Sequence, residues 1–185
     1  GQIEKTITQQ GFQRYRAQQL IEWIFKKFAS SYEEMSDLPK DLRDYMAQNL
    51  SLSTLSMLAC YSDRSQQSRR YLWGLNGMPV AESVLLSYKY GTTGCLSTQV
   101  GCPVGCSFCA SGKLGFERNL TKGEIIDQLI GMCRHTRERI SRLVFMGTGE
   151  PFFNYDNVMS AIEMLSEAST YDMSRRKITI STVGI

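Results

Sequence analysis

The chain has 185 residues, 42% of them hydrophobic and 21% charged, with a formal net charge of +3 at neutral pH. That is globular composition, enough for one core and a small appended module, and the charge permits a nucleic-acid partner without demanding one. No run of about 18 apolar residues exists to span a bilayer, and the opening GQIEKTITQQ lacks the apolar stretch of a signal peptide, so a cytoplasmic protein with no membrane partner is expected.

From Arg14 to Ser30 the apolar residues Leu20, Ile21, Ile24, Phe25 and Phe28 fall at helical spacing, with Arg16, Glu22 and Lys26 on the polar side. A second helix is predicted near Pro39, a first-turn residue whose missing N–H has no intrahelical use, and it turns Leu42, Tyr45 and Met46 inward. Residues 1–50 therefore read as a small helical unit. The runs RRYLWGL and PVAESVLLSY, separated by Asn76-Gly77, predict a β-hairpin extension within residues 51–92. Beyond it, Thr121 and Glu124 have capping-box spacing ahead of a helix to about Arg137, the run Arg142–Met146 is a buried strand, a helix spans about Asn154–Ala168, and Lys177–Ser181 is a further strand. Strands alternating with helices mean parallel βαβ units, so residues 93–185 read as the first part of an α/β barrel or sheet, stopping at STVGI with no covering helix.

Six cysteines would suit disulfides, but Cys102, Cys106 and Cys109 lie within one eight-residue stretch, and clustered thiols in a cytosolic chain more often bind metal. In GCPVGCSFC the spacing is CxxxCxxC, a tight loop able to turn three thiolates toward one point, and three ligands leave one iron of a [4Fe-4S] cluster open. An amine and a carboxylate on neighbouring carbons, as in S-adenosylmethionine (SAM), can chelate that iron, so the spacing suggests radical chemistry. A structural zinc site in a non-enzymatic RNA-binding module is the alternative. It needs four ligands; the only histidine, His135, lies on a predicted helix well away, and Cys95 remains available as a fourth.

The stretch QVGCPVGCSFCASGKLGFERNLTKGEI resembles the cluster loop of the RlmN/Cfr family of radical SAM RNA adenine methyltransferases. The likeness continues through MGTGEPFFNYDNV and RRKITISTVGI, and upstream GFQRYRAQQLIEWIFKKF with LPKDLR resembles the helical domain preceding the barrel in that family. The resemblance implies an α/β fold: a partial radical SAM (β/α) barrel preceded by a small helical domain and a β-hairpin. It also implies the methylation of adenosine C2 in 23S rRNA and tRNA, with Cfr-type C8 methylation as the alternative, and an external electron donor such as flavodoxin. Family members run to nearly twice this length, so the second half of the barrel and the methyl-carrying cysteine are expected beyond this chain, and the chain alone is not assumed to turn over.

Matched residue by residue, the resemblance makes Cys102, Cys106 and Cys109 the cluster ligands, and Gly149, Glu150 and Ser181 SAM-binding residues. It makes Glu82 the proton acceptor and Cys95 the thiol that resolves a protein–RNA crosslink. Without the family, Glu82 would read as a surface strand carboxylate and Cys95 as a small core residue, the reading kept for Cys60 and Cys133. Arg64, Arg69, Arg70, Lys113, Arg118, Lys122, Arg175, Arg176 and Lys177 are candidates for phosphate contacts, and Tyr71, Trp73, Tyr88 and Tyr90 for base stacking, although strand aromatics usually pack a core.

Overall fold

In the computed structural model, which describes residues 2–184, the first fifty residues form α1 (Gln2–Gln9), α2 (Tyr15–Phe25) and α3 (Lys40–Asn49). Gly1 and Ile185, the ends of the segments GQIEK and STVGI read above, lie outside the described residues. Ile7, Ala17, Leu20, Met35, Leu42 and Met46 build a core of their own. The second helix is shorter than its periodicity predicts, because Phe28 adopts a left-handed φ of 54° that turns the chain away. Phe25 and Phe28 thereby leave the small core and enter the large one, so α2 joins the two units. Lys26 Nζ and Gln18 Nε2 add hydrogen bonds to the carbonyls of Ala168 and Ser169. The third helix starts directly after Pro39, which stands at its N-cap with ψ 145°, one residue before the first-turn position expected of it.

A six-stranded sheet follows, with β1 (Ser56–Ser62), β2 (Ser68–Leu75), β3 (Met78–Tyr88), β4 (Gly91–Cys95), β7 (Arg142–Phe145) and β8 (Ile178–Ile180) as neighbours in that order. The first four are antiparallel; β4, β7 and β8 are parallel. The turn Asn76-Gly77 has φ of 50° and 80°, the mirror-image turn that suits a two-residue hairpin. The predicted hairpin is thus present, but it is the middle of a meander, since neither β1 nor β4 shows in the sequence pattern. A ribbon of β5 (Gln99–Gly101) and β6 (Phe116–Asn119) frames the cysteine loop. The helices α4 (Lys122–Thr136) and α5 (Tyr155–Ser166) complete the α/β architecture. Among the described residues no helix is long and apolar enough to cross a membrane.

One face of the sheet packs on helices. Tyr71, Trp73, Leu85, Leu143 and Phe145 point there and join Ile125, Leu129, Met132, Val158, Ala161 and Leu165 in one core. Tyr71 and Trp73 stack at 5.5 Å and are 0% and 2% exposed, so neither is available to a base, and that expectation is corrected. Gly131 lets α4 approach the indole: a Cβ there would stand 2.5 Å from Trp73 Cη2. The other face displays side chains in alternation with these. It carries Arg70, Glu82, Cys95 and Val144.

At its N-terminus α4 has the predicted capping box. The Thr121 hydroxyl accepts from the Glu124 amide, and Glu124 accepts from the Thr121 amide. Arg118 of β6 adds a two-pronged contact to the Glu124 carboxylate at 2.7 and 2.9 Å. Arg118 is therefore committed to the fold and is withdrawn as a phosphate ligand. Burial alone would raise Glu124, but the bonds from Arg118 and Thr121 outweigh it and hold the carboxyl below its ordinary value.

Two outcomes follow for stability. Gly131→Ala gains up to about 1 kcal/mol of helix propensity, yet overpacking the indole costs about 1–3 kcal/mol; the denaturant midpoint should fall, and a rise would show that Trp73 moves aside freely. A lowered carboxyl pKa stabilises the fold above the unfolded glutamate value, and that stability is lost as pH drops from there through the folded value. Glu124→Gln should therefore be less stable at neutral pH and lose less on acidification; parallel acid limbs for the two proteins would remove Glu124 from the account.

Candidate functional site

The parallel strands β4, β7 and β8 all end at the same edge of the sheet, which is where α/β folds gather their ligand loops. Ser97, just past β4, organises this edge. Its hydroxyl donates to the Glu82 carbonyl at 2.6 Å and accepts from the Thr148 amide at 2.9 Å. The Thr98 and Gln99 amides both donate to the Thr148 carbonyl, and the Gly147 amide donates to that of Leu96. Gln99 accepts from the Glu150 amide and donates to Asn119, while Asn154 Nδ2 donates to the carbonyls of Thr98 and Leu120. Ser97, Gln99, Gln128 and Asn154 are buried polar residues that were not singled out from the sequence. Gln128 did carry a signal, as a polar residue in the middle of the apolar stripe of Ile125, Leu129 and Met132.

Between β5 and β6 runs the cysteine loop. The Cys102 amide donates to the Gly115 carbonyl and closes its base, where a Cβ on Gly101 (φ 72°) would lie 1.8 Å from that oxygen, so only glycine fits. Cys102, Cys106 and Cys109 are half-buried free thiols. The amides of Gly112 and Ser111 lower the Cys109 thiol. Among the described residues no three His, Cys, Asp or Glu side chains form a metal-ready group; within the loop Gly105 has a left-handed φ of 65°, and Gly112 packs on it so closely that a Cβ there would lie 3.2 Å from its Cα. The donor set fits a cluster: three thiols on a single closed loop. His135 is not among them, since it sits in the last turn of α4 and contacts Tyr71 at 3.1 Å.

Glu82 is exposed on β3 and lines a cavity of about 590 Å³ together with Arg70, Leu72, Val100, Ser111 and Thr148. Cys95, half-buried at the end of β4, stands opposite Val84 on one side and Val144 on the other. Glu82 is two residues from Val84, so it and Cys95 are diagonal neighbours on one face, about 7–8 Å apart in a regular antiparallel pair. Burial pushes the Cys95 thiol up. Cys133, by contrast, is fully buried in the helix-side core, and Cys60 is half-buried against it.

Gly149 has φ 107°, and a Cβ there would meet Gln99 at 2.7 Å. Glu150 is 3% exposed, and its carboxylate accepts the amides of Phe152 and Val183 at 3.0 and 2.9 Å. Burial alone would raise this carboxyl, but the Thr182 hydroxyl and those amides hold it lowered. The side chain thus ties the loop after β7 to the segment after β8, and what it offers a ligand is the shape of that loop. Ser181 follows β8 and is exposed, its amide directed to the Phe145 carbonyl at 3.3 Å.

Residues 1–52 match the family described as Ribosomal RNA large subunit methyltransferase N-terminal domain, and residues 96–185 match the Radical SAM superfamily. Among curated relatives, a probable dual-specificity RNA methyltransferase RlmN of Thermotoga maritima is 42% identical over 97% of this chain and 52% of its own length. That of Carboxydothermus hydrogenoformans is 43% identical over 92% of this chain and 50% of its own. A crystal structure of a radical SAM methyltransferase from Sphaerobacter thermophilus superposes with a TM-score of 0.93 at 37% identity, covering 99% of this chain and 55% of that one. The chain spans about half the length of the curated relatives it matches. Joining an RlmN N-terminal domain to radical SAM strands and cysteine loop in one continuous match, the chain belongs to the RlmN-type family of radical SAM proteins.

Proposed function

We propose that the protein is a radical SAM RNA methyltransferase that adds a methyl group to C2 of adenosine in 23S rRNA and tRNA. The observation that carries this reading is the shared cavity: the Glu82 carboxylate and Ser111, two residues past Cys109, line the same 590 Å³ space at the ligand edge of the sheet. A target base seated there lies between a carboxylate and the loop of three thiols. That its relatives are described as probable dual-specificity RNA methyltransferases RlmN favours this reaction over its C8 counterpart.

In this proposal Cys102, Cys106 and Cys109 would hold a [4Fe-4S] cluster, and Gly149, Glu150 and Ser181 would shape the seat of SAM. When bound, cluster and SAM supply the one-electron chemistry that an electron-poor carbon such as adenine C2 requires. Glu82, which lines the cavity, accepts the proton that C2 gives up. Cys95, on the same face, is the thiol that frees the product, and its burial raises the thiol and so favours the less reactive protonated form. Residues 1–50 serve as an RNA-contacting helical unit, 51–92 as the extension carrying Glu82, and 93–185 as the opening part of the barrel. A flavodoxin-type donor supplies electrons, and a reducing cytoplasm keeps the thiols free.

Anaerobic reconstitution with iron and sulfide tests the proposal. About four irons per chain are expected, with an electron paramagnetic resonance signal of the reduced cluster that changes when SAM is added; bound zinc, or a cluster blind to SAM, would overturn the reading. Cys106→Ala should lose most of the iron. Cys95→Ala should keep it, and loss of iron in that variant would make Cys95 a ligand.

A further inference from the structure

The opposite edge of the sheet, remote from the cysteine loop, gathers a different set of side chains. Because β1 to β4 alternate in direction and β4, β7 and β8 run in parallel, the β1–β2 turn, the β3–β4 turn and the starts of β7 and β8 all fall on it. Arg64 lies in the first of these turns, Lys89 in the second, Arg142 opens β7, and Arg175-Arg176-Lys177 precede β8. All six are exposed, and none has an ion-pair partner among the described residues. The acids at this end are fewer: Asp63, whose carboxylate accepts from the Ser65 hydroxyl and the Ser68 amide and stays charged, with Glu138, Glu167 and Asp172.

Two aromatic rings lie in the same belt. Tyr88 and Tyr90 stack with centroids 5.5 Å apart and planes 1° from parallel, and the Arg142 guanidinium sits 5.2 Å from the Tyr90 centroid. Despite these contacts they remain 47% and 72% exposed. Packing does not account for rings so open, whereas Tyr71 and Trp73 on the neighbouring strand are buried. Unpaired cations beside an open ring stack are what single-stranded nucleic acid uses: phosphates release counterions to the cations and bases stack on the rings.

We propose that this basic and aromatic edge, formed by Arg64, Lys89, Arg142, residues 175–177 and the Tyr88–Tyr90 stack, is a second RNA-binding surface at the end of the sheet opposite the candidate site. It rests on the reading of the protein as acting on RNA. The five residues of β4 separate the two edges by about 16 Å, so a folded RNA can engage the belt with one segment while another reaches the cavity. The belt reads no sequence; it adds affinity and orients the RNA.

The experiment is an anisotropy titration of the full chain with a labelled RNA hairpin bearing an unpaired loop adenosine, repeated from 50 to 300 mM salt. Replacing Arg175, Arg176 and Lys177 together by Ala should flatten the plot of log affinity against log salt by about two to three. Tyr90→Ala should weaken binding about tenfold at unchanged slope. Iron content and the SAM-dependent signal, measured on the same variants, should stay at the level of the unaltered chain. Unchanged affinity and slope in both variants overturn the second surface, as does an unaltered chain that binds no RNA. Belt-dependent capture of anionic lipid vesicles in place of the hairpin overturns its assignment to RNA. A chain that takes zinc yet shows the belt-dependent slope loses the radical reading and keeps the belt.

Discussion

Gln128 Oε1 accepts from the Ser83 hydroxyl and the Ser97 amide, and its Nε2 donates to the carbonyls of Ser97 and Glu124. This one buried side amide therefore joins α4, β3 and the residue where β4 leaves the sheet. Each of its contacts is made away from water, where an unmet polar group costs far more than a made bond returns, so the arrangement holds as a set. Ser97 passes the constraint on through its hydroxyl, to the backbone of Glu82 and to the amide of Thr148. The heights of the proposed proton acceptor and of the loop after β7 are set from the same point. A shift of Gln128 would move both walls of the cavity before it touched any thiol.

The same economy explains why Glu150, the acidic residue of Gly-Glu-Pro, has no free carboxylate to offer. Loops at the end of parallel strands leave amides without ladder partners, and a buried carboxylate that takes two of them stabilises the turn while staying charged. Gly147 and Gly149 allow the close approach, since a Cβ on either would collide with the segment Leu96–Gln99 at 2.7 Å. A ligand taken at such a loop would meet backbone groups. The identity of the acidic residue then matters for the shape of the loop more than for direct contact.

Much of this was legible from the residues, and what was not has physical causes. The capping box at Thr121 and Glu124, the Asn76-Gly77 turn and the proline opening of α3 are local signals, set by backbone geometry within four residues, and each appears within one residue of where it was expected. The strands β1 and β4 escaped notice for opposite reasons. SMLACYS alternates poorly because it is a bulged edge strand, and GTTGC is a strand whose glycine faces α4 at close range, where a side chain would crowd Met132. Tyr71 and Trp73 could be placed inside only once α4 was known to cross them. Arg118 looked free because its partner lies across a strand-to-helix junction, a pairing no helical or strand spacing predicts.

The cysteine spacing is the most local of the sequence signals. Three thiols within eight residues propose a ligand set without any long-range contact, although among the described residues they do not gather into a three-ligand group. Glu82 and Cys95 are the contrary case. They lie thirteen residues apart, and only the antiparallel register that sets Val84 against Cys95 brings them to one face. Their neighbourhood depends on how β3 turns into β4, through the exposed Tyr88-Lys89-Tyr90 segment at the far edge. Since that turn fixes the register of both strands, a one-residue slip there would send Glu82 or Cys95 to the helix side of the sheet. The segment that displays the aromatic stack at one edge therefore also sets the alignment of the proposed catalytic pair at the other.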